Sequence, residues 1–247
     1  MLQMGVIRPS FSPWASPILL LRKKDGSIRF AIDYRRVNER LVNDAYPLPH
    51  TVDLLDALQG ASVFSTLDLE KGYWQVPLEE SSKAITAFST TGGLFEFNVL
   101  PFGLSTAPAL FQRMMDNCLK GLPFARVYID DIVVFSNSLK EHSDHLQQVF
   151  RRLEATKLTL NVKKCKFFTS EIVFLGTTLT ASGIKPNDEK IRAVLGMQKP
   201  TDKKKLLEFL GLVNFYRDYC PGLARVSACL YQLLSKSADF VWTTKHY

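Results

Sequence analysis

Apolar and polar positions divide the chain into two parts. Short runs rich in β-branched and aromatic residues dominate the first three quarters and predict strands at residues 18–21, 28–32, 63–69, 86–90, 94–100, 126–135 and 172–179. Spacings of three and four between apolar residues predict helices at 52–58, 105–120, 139–153, 188–197, 201–219 and 223–235. Prolines at 9, 13 and 17 predict that residues 1–20 are extended and irregular. The pattern predicts an α+β protein with a helical C-terminal part.

Two aspartates lie inside a very apolar pair of predicted strands. Asp130 and Asp131 follow Tyr128-Ile129 and precede the apolar run 132–135, which puts them at or near the turn of a hairpin. Isolated carboxylates in an apolar frame lose roughly several kcal/mol of solvation each, which a divalent cation would compensate. A solvated hairpin tip is the alternative, because Asp tolerates turn geometry.

A third aspartate favours the metal site over the solvated hairpin turn. Asp68 lies among apolar residues in the predicted strand 63–69. Three aspartates on two strands are the ligand set that a two-metal centre requires. Mg²⁺ prefers carboxylate oxygens and leaves positions open for phosphate and water. We therefore predict that Asp68, Asp130 and Asp131 are catalytic residues that bind two Mg²⁺ ions, with Mn²⁺ as the alternative metal, for phosphoryl transfer.

The net charge of +7 is unevenly distributed. Residues 1–45 carry eight basic and four acidic side chains, residues 46–184 carry 12 and 14, and residues 185–247 carry 11 and six. Basic ends around an acidic centre suit a polyanion held near a metal site, because counterion release drives phosphate binding. Lysines that only maintain solubility are the alternative explanation.

Other features narrow the class of protein. The four cysteines are scattered without metal-ligand spacing, which is typical of reduced intracellular thiols. No apolar run reaches the roughly 18–20 residues that span a bilayer, and residues 1–5 do not resemble a signal peptide. We therefore expect a cytoplasmic or nuclear protein with no membrane partner. His142 and His145 lie one helical turn apart, where a solvated helix face is expected rather than a zinc site.

Five runs resemble, in order, those of reverse transcriptases from gypsy-type LTR retrotransposons, a family related to the retroviral enzymes. They are residues 29–35, 64–76, 100–108 (Leu-Pro-Phe-Gly and its continuation), 128–131 (Tyr-Ile-Asp-Asp) and 174–176. The resemblance implies part of a Pol polyprotein with a right-hand polymerase fold. Fingers would occupy mainly 1–60 and 84–103, an antiparallel palm mainly 61–83 and 104–184, and a helical thumb 185–247. The sequence contains no recognisable ribonuclease H, protease or integrase motif.

The resemblance also implies an activity, RNA-directed DNA polymerisation. The substrates would be deoxynucleoside triphosphates and a primer on an RNA or DNA template. Asp68 and Asp130 would bridge the metal ions, Asp131 would complete the site, and Lys164 is the candidate to protonate departing pyrophosphate. The residues implied at the nucleotide are Lys23, Lys24, Arg29, Lys71, Gly72, Tyr73, Phe102 and Gly103.

These nucleotide-site residues have different implied roles. Arg29 and one of the two lysines at 23 and 24 would reach the triphosphate from a hairpin that turns at Asp25-Gly26. Backbone amides at 71 and 72 would contact phosphate oxygens. The ring of Tyr73 would exclude a ribose 2′-hydroxyl. Retroviral enzymes carry Gln where this chain has Phe102, so packing and the Gly103 backbone would shape the pocket, unless Phe102 belongs to the core.

The sequence is compatible with two other functions. An RNA-dependent RNA polymerase shares the palm and the aspartate pair, but such enzymes commonly carry an acidic group where Tyr73 stands. A decayed or domesticated remnant would bind nucleic acid without catalysis. The presence of all three aspartates and Arg29 favours a competent enzyme.

Overall fold

The computed structural model describes residues 1–22, 26–235 and 239–244. In it the chain forms two compact units, Met1–Ile172 and Val173–Tyr247. The strands are β1 Ile7–Pro9, β2 Ser16–Arg22, β3 Ile28–Ile32, β4 Val63–Asp68, β5 Phe88–Thr90, β6 Gly93–Phe97, β7 Ala125–Tyr128, β8 Asp131–Ser136, β9 Lys166–Thr169, β10 Glu171–Phe174, β11 Thr177–Thr180 and β12 Gly183–Pro186.

Helices fill most of the intervals between these strands. The α-helices are α1 Arg35–Asn38, α2 Thr51–Asp56, α3 Glu80–Lys83, α4 Ala107–Cys118, α5 Leu139–Ala155, α6 Asp188–Leu195, α7 Lys203–Asn214 and α8 Leu223–Gln232. Short 3-10 helices lie at Leu2–Met4, Gly72–Gln75, Ala84–Thr86 and Arg217–Tyr219.

The first unit contains two sheets. One has the strand order β1-β6-β5-β2-β3 and is antiparallel except for the parallel pair β2 and β5. Its apolar cluster includes Tyr34, Phe88, Phe97 and Leu100, which are at most 3% exposed. The Tyr34 hydroxyl donates to Thr86 O at 2.8 Å, so this buried polar group is satisfied.

The other sheet is wholly antiparallel, with the order β7-β8-β4-β9. Its central strand β8 contains three consecutive side chains, Ile132 to Val134, with 0% exposure. Ile132 packs with Phe111 and Met115 of α4 and with buried residues of α5. Each such side chain contributes about 1.5–3 kcal/mol by burial, which makes β8 a stable base for residues at its end.

The second unit combines a small sheet with helices. Strand β11 lies between β10 and β12, and β11 and β12 pair antiparallel. Leu206, Leu210 and Leu233 form its buried cluster. Asp202 caps α7 by accepting from Lys205 N at 2.8 Å, and this backbone hydrogen bond lowers the pKa of the carboxyl. The cap offsets the repulsion between the helix dipole and the lysines of the first turn.

Most predicted elements coincide with observed ones, but the range predicted at 172–179 contains two strands, β10 and β11, and strands β1, β9 and β12 and helices α1 and α3 were not predicted. The helix predicted at 201–219 ends at Asn214, and a separate 3-10 turn follows at Arg217–Tyr219. Residues 1–20 are not wholly irregular, because they include the 3-10 helix Leu2–Met4, strand β1 and the start of β2. The predicted turn residue Asp25 lies outside the described residues. Over the described ranges, no helix combines the length and apolarity that crossing a membrane requires.

Candidate active site

Strand register brings two of the three predicted aspartates together. In the antiparallel pair of β4 and β8, Asp68 lies directly opposite Asp131, and Leu67 lies opposite Ile132. Opposed residues project from the same face of a sheet, and successive residues alternate between faces. Leu67 and Ile132 face α4 and α5. Asp68 and Asp131 therefore share the opposite face, which these helices do not cover.

The third aspartate lies in the turn beside them. Strand β7 ends at Tyr128, which pairs with Asp131, so Ile129 and Asp130 form a two-residue hairpin turn. Ile129 has φ +59°, a left-handed conformation that is rare for a β-branched residue. Such a conformation costs on the order of 1–3 kcal/mol and persists only where surrounding contacts enforce it.

Gln112 of α4 supplies those contacts. Its side chain has 0% exposure. Gln112 Oε1 accepts from Ile129 N at 2.7 Å, and Gln112 Nε2 donates to Val127 O at 3.2 Å. The amide therefore holds both the strained turn residue and the strand before it, which fixes the backbone that carries Asp130.

The electrostatics of the carboxylates fit a cation. Partial desolvation, and then the charges of Asp130 and Asp68, raises the pKa of Asp131, while Lys164 opposes the shift. Lys164 Nζ lies 3.3 Å from Asp68 Oδ2. Within the described ranges, no three His, Cys, Asp or Glu side chains close around a common metal position. The donor set of clustered carboxylate oxygens with excess negative charge nevertheless matches what a hard divalent cation binds.

The loop after β4 approaches the aspartate turn closely. Gly72 is buried, and a Cβ atom there would lie 3.2 Å from Phe111 Cζ and 3.4 Å from Asp130 Cβ. Lys71 precedes it with φ +53° and places its Nζ 5.2 Å from the centre of the Trp74 ring. The first N–H groups of the 3-10 helix Gly72–Gln75 have no acceptors within that helix, as at any helix start.

Tyr73 lies between two phenylalanine rings. Its ring centroid is 5.0 Å from that of Phe102 and 5.1 Å from that of Phe111. Burial, and then the charge of Asp130, raises the pKa of Tyr73, so its hydroxyl stays protonated at neutral pH near the aspartate turn. Phe102 is 44% exposed, which corrects the alternative that it belongs to the core.

The loop that carries Phe102 is fixed from α1. Gly103 has φ +100°, which only glycine adopts readily. Asn38 Nδ2 donates to Gly103 O at 2.9 Å, and Asn38 Oδ1 accepts from Ser105 N at 2.9 Å. Asn38 was not predicted as a site residue, yet it holds both ends of this turn.

The remaining predicted residues have different placements. Lys164 lies beside Asp68, and its role at the pyrophosphate stays a prediction. Lys23 and Lys24 lie outside the described residues. Arg29 lies in β3 opposite Leu21, in the sheet that does not contain the aspartates.

Two glutamines that hold the aspartate turn and the loop after β4 were not predicted from the sequence. Gln112 follows Phe111 directly and precedes Met115 by three positions, so it falls in the apolar stripe of α4. A polar residue in such a stripe is a usable signal. Gln75 bonds to Thr159, 84 positions away, and no local pattern indicates that pairing.

The histidine pair also differs from expectation. His142 is not on a solvated helix face but has 0% exposure. Its Nε2 lies 2.7 Å from Ser65 Oγ, and its Nδ1 lies 2.8 Å from Ser136 Oγ. Ser136 Oγ also contacts His145 Nδ1 at 2.8 Å. The serine hydroxyls therefore occupy both ring nitrogens of His142, which leaves none for a metal.

Known sequences match this chain over most of its length. A model of the reverse transcriptase (RNA-dependent DNA polymerase) family matches residues 21–213. The retrovirus-related Pol polyprotein from transposon 297 of Drosophila melanogaster is 42% identical over 96% of this chain, and the transposon Tf2-3 polyprotein of Schizosaccharomyces pombe is 35% identical over 98%. This chain spans only 23% and 18% of the lengths of these two relatives.

Solved structures give the same result for the fold. The foamy viral protease-reverse transcriptase dRH in complex with double-stranded DNA superimposes with a TM-score of 0.93, at 31% identity, over 99% of this chain and 44% of that one. The foamy viral protein in complex with an RNA/DNA hybrid gives 0.87, at 31% identity, over 99% of this chain and 33% of that one. The predicted α+β right-hand polymerase fold is confirmed. The chain belongs to the reverse transcriptase family, and its relatives place it with the LTR-retrotransposon members that the gypsy-type resemblance predicted.

Proposed function

We propose that this chain is the polymerase part of an RNA-directed DNA polymerase. It would extend a primer 3′-end with deoxynucleoside triphosphates on an RNA or DNA template. The observation that carries the proposal is the register of β4 and β8, which sets Asp68 opposite Asp131 and next to the turn that contains Asp130. The foamy viral relatives, solved with double-stranded DNA and with an RNA/DNA hybrid, support a primer–template duplex as the partner.

The proposed cofactor is a pair of Mg²⁺ ions, with Mn²⁺ as an alternative. Asp68, Asp130 and Asp131 would hold them through carboxylate oxygens. Bound there, divalent ions supply a lower barrier to ionising the primer hydroxyl and neutralise charge on the leaving group. The raised pKa of Asp131 supports this proposal, because it reflects first the partial desolvation of the carboxylate and then the charges of Asp130 and Asp68, which Lys164 only partly balances.

The proposed reaction is displacement at phosphorus. The primer 3′-oxygen forms a bond to the α-phosphorus and loses its proton to solvent water, while the bond from that phosphorus to the bridging oxygen of the leaving pyrophosphate breaks. Lys164 would donate a proton to the pyrophosphate. Its ammonium nitrogen is 3.3 Å from Asp68, which is near enough to the carboxylates for that role.

Further residues would select and orient the nucleotide. Amides at Lys71 and Gly72, together with Arg29, Lys23 and Lys24, would bind the triphosphate. The Tyr73 ring, packed between Phe102 and Phe111, would leave no room for a 2′-hydroxyl. Phe102 and the Gly103 backbone would complete the pocket.

The proposal also assigns parts of the hand to ranges of the chain. Fingers would lie mainly in 1–60 and 84–103, the palm mainly in 61–83 and 104–184, and the thumb in 185–247. The excess of 11 basic over six acidic residues in 185–247 supports contact with a duplex.

Primer extension tests the reaction. The purified chain is given an RNA template, a DNA primer, Mg²⁺ and deoxynucleotides, beside the Asp130→Asn variant. Asp144→Asn is the matched control, because Asp144 is an exposed residue of α5 away from the carboxylate group. We expect extension by the wild type and the control and none by Asp130→Asn. Equal extension by all three proteins would overturn the assignment.

Duplex binding at two salt concentrations, together with primer extension, distinguishes a polymerase from a remnant that only binds nucleic acid. Affinity should fall by about 10³-fold between about 50 and 200 mM salt if six or more phosphates are contacted. The Asp130→Asn variant should bind like the wild type. Salt-sensitive binding without extension by any of the proteins would instead indicate a remnant that binds nucleic acid only.

Ribonucleotide incorporation tests the role of Tyr73. Tyr73→Val should reduce the preference for deoxynucleotides by about 10-fold or more, because the smaller side chain opens space for the 2′-hydroxyl. Tyr73→Phe keeps the ring and should keep the preference. Continued rejection of ribonucleotides by Tyr73→Val would contradict the gate.

A further inference from the structure

Gln75 uses its whole side-chain amide to join two distant segments. Gln75 Nε2 donates to Glu70 O at 2.8 Å and to Thr159 O at 3.0 Å. Gln75 Oε1 accepts from Thr159 N at 2.7 Å and from Thr159 Oγ1 at 3.0 Å. An amide has two donor hydrogens and two acceptor lone pairs, so its hydrogen-bonding capacity is filled.

The first segment is the loop that leaves β4. Glu70 lies two positions after Asp68, and Gln75 ends the 3-10 helix that begins at Gly72. The bond from Gln75 to Glu70 O therefore closes this loop on itself. The loop contains Gly72, where a Cβ atom would lie 3.4 Å from Asp130 Cβ.

The second segment runs beside the end of β4 and leads to Lys164. Glu70 N donates to Thr159 O at 3.0 Å, and Asn161 N donates to Asp68 O at 2.8 Å. A turn follows, in which Lys164 N donates to Asn161 O at 2.9 Å. At the end of this turn the Lys164 ammonium lies 3.3 Å from Asp68 Oδ2.

We propose that Gln75 is a positioning residue that holds the segment from Thr159 to Lys164 against β4 and so keeps Lys164 beside Asp68. The inference rests on the proposed function for its effect on turnover, because Lys164 is the proposed proton donor. Gln75 itself touches neither the carboxylates nor Lys164. Its action is indirect, through Thr159 and the turn that follows.

Loss of the Gln75 amide should loosen this segment without unfolding the sheet. Asn161 and Glu70 keep their backbone bonds to the neighbouring segment, and Leu69 and Leu160 keep their bridge. The Lys164 side chain is 65% exposed, so packing alone does not fix it. The position of its ammonium depends on where the turn is held.

Steady-state primer extension tests the effect on turnover. Gln75→Leu keeps a similar side-chain volume and removes all four hydrogen bonds. Gln75→Glu replaces the amide nitrogen with an oxygen, which would face the carbonyl oxygens of Glu70 and Thr159. Both should lower kcat about 10- to 100-fold, the usual effect of losing a residue that orients a site, with duplex affinity unchanged. Thr159→Val removes one of the four bonds and should lower kcat less. Gln148→Leu is the matched control, since Gln148 bonds within its own helix, α5.

A double substitution distinguishes positioning from general destabilisation. If Gln75 acts through Lys164, then Gln75→Leu should lower kcat by less than about twofold when Lys164→Met is already present, because coupled residues are not additive. Full multiplication of the two losses would overturn the inference.

Hydrogen exchange tests the positioning by Gln75 without relying on catalysis. Amides at Thr159, Lys164 and Cys165 should exchange at least about tenfold faster in Gln75→Leu than in the wild type or Gln148→Leu. Unchanged exchange at these amides would overturn the inference whether or not the wild type extends primers. If the wild type extends none but exchange rises as expected, the proposed function fails and the positioning by Gln75 stands.

Discussion

The paired strands β4 and β8 carry a polar cluster near each end. The two clusters differ in how far the protein itself satisfies their hydrogen bonds and charges. At one end, Ser65 of β4 and Ser136 of β8 flank His142 of α5, and all three are buried. Hydroxyl groups lie 2.7 and 2.8 Å from the two ring nitrogens of His142. At the other end, Asp68 and Asp131 lie opposite one another on the uncovered face.

The difference separates a polar group that stabilises the fold from one that we propose performs chemistry. His142 has its hydrogen bonds completed inside the protein and carries no charge that a ligand must balance. The carboxylates repel one another, and Lys164 is their one cationic contact among the described residues. Strain at Ile129 lies at the same end. The repelling carboxylates and the strained turn therefore lie together, at the end of the sheet where a bound cation and substrate would offset their energetic cost.

The largest effect should come from neutralising a carboxylate. Asp131→Asn should abolish primer extension yet raise the melting temperature, because it removes a charge that is partly desolvated and that Asp130 and Asp68 repel. A carboxyl whose pKa is raised on folding costs stability as pH rises above its ordinary value of 3.8. The gain should therefore be present near neutral pH and shrink toward acid pH. Thermal unfolding measured across that range checks this, and a lower melting temperature at neutral pH would contradict it.

The next effect concerns the support of the strained turn. Gln112→Leu removes the acceptor for the part-buried Ile129 N and the donor to the buried Val127 O. We expect a loss of about 1–3 kcal/mol in the free energy of unfolding and of about 10²-fold in kcat, because Asp130 would shift. Denaturant unfolding and primer extension measure the two losses. Asn117→Leu, on the exposed side of α4, is the control, and equal losses in it would refute the role of Gln112.

At the opposite end of the sheet, stability should fall without a loss of activity. His142→Phe removes the contacts of the Ser65 and Ser136 hydroxyls to the His142 ring, although Ser136 keeps its contact to His145, at a cost of about 2–4 kcal/mol. The kcat of the folded protein should stay within about twofold of the wild type, because this cluster does not touch the carboxylates. Denaturant unfolding and extension at a permissive temperature check both statements. His50→Phe, at an exposed histidine, should change neither.

The same cluster predicts a pH dependence of stability. Burial, and then the charge of His145, lowers the pKa of His142 below its ordinary 6.5, against an opposing effect of Glu141. The neutral ring therefore stabilises the fold fully above pH 6.5, and this contribution is lost as pH falls through the lowered pKa. Between about pH 7.5 and 5.5 the wild type should lose melting temperature more steeply than His142→Phe. Parallel slopes would show that another group controls the transition.

The sequence predicted residue types and local elements better than the contacts that hold the site. Asp68, Asp130 and Asp131 stand out because a carboxylate in an apolar strand is unusual, and the strands around them follow from their β-branched content. Gln75 and Thr159 are 84 positions apart and meet only through the tertiary fold. His142 was misjudged because its hydrophilic neighbours in α5 hide the two serines that satisfy it. Side-chain hydrogen bonds between distant segments leave no periodic trace.

The smallest effect should come from Trp74, whose indole N–H belongs to neither polar cluster. Trp74 Nε1 is buried and, among the described residues, has no hydrogen-bond partner. Phe at this position would remove the unsatisfied donor, worth about 1–3 kcal/mol, but would also bury less surface. Trp74→Phe should therefore change the free energy of unfolding by no more than about 1 kcal/mol, in the stabilising direction. A clear destabilisation in denaturant would mean that packing against Lys71 and Phe102 outweighs the unsatisfied donor, and it would place Trp74 with the groups that hold the site.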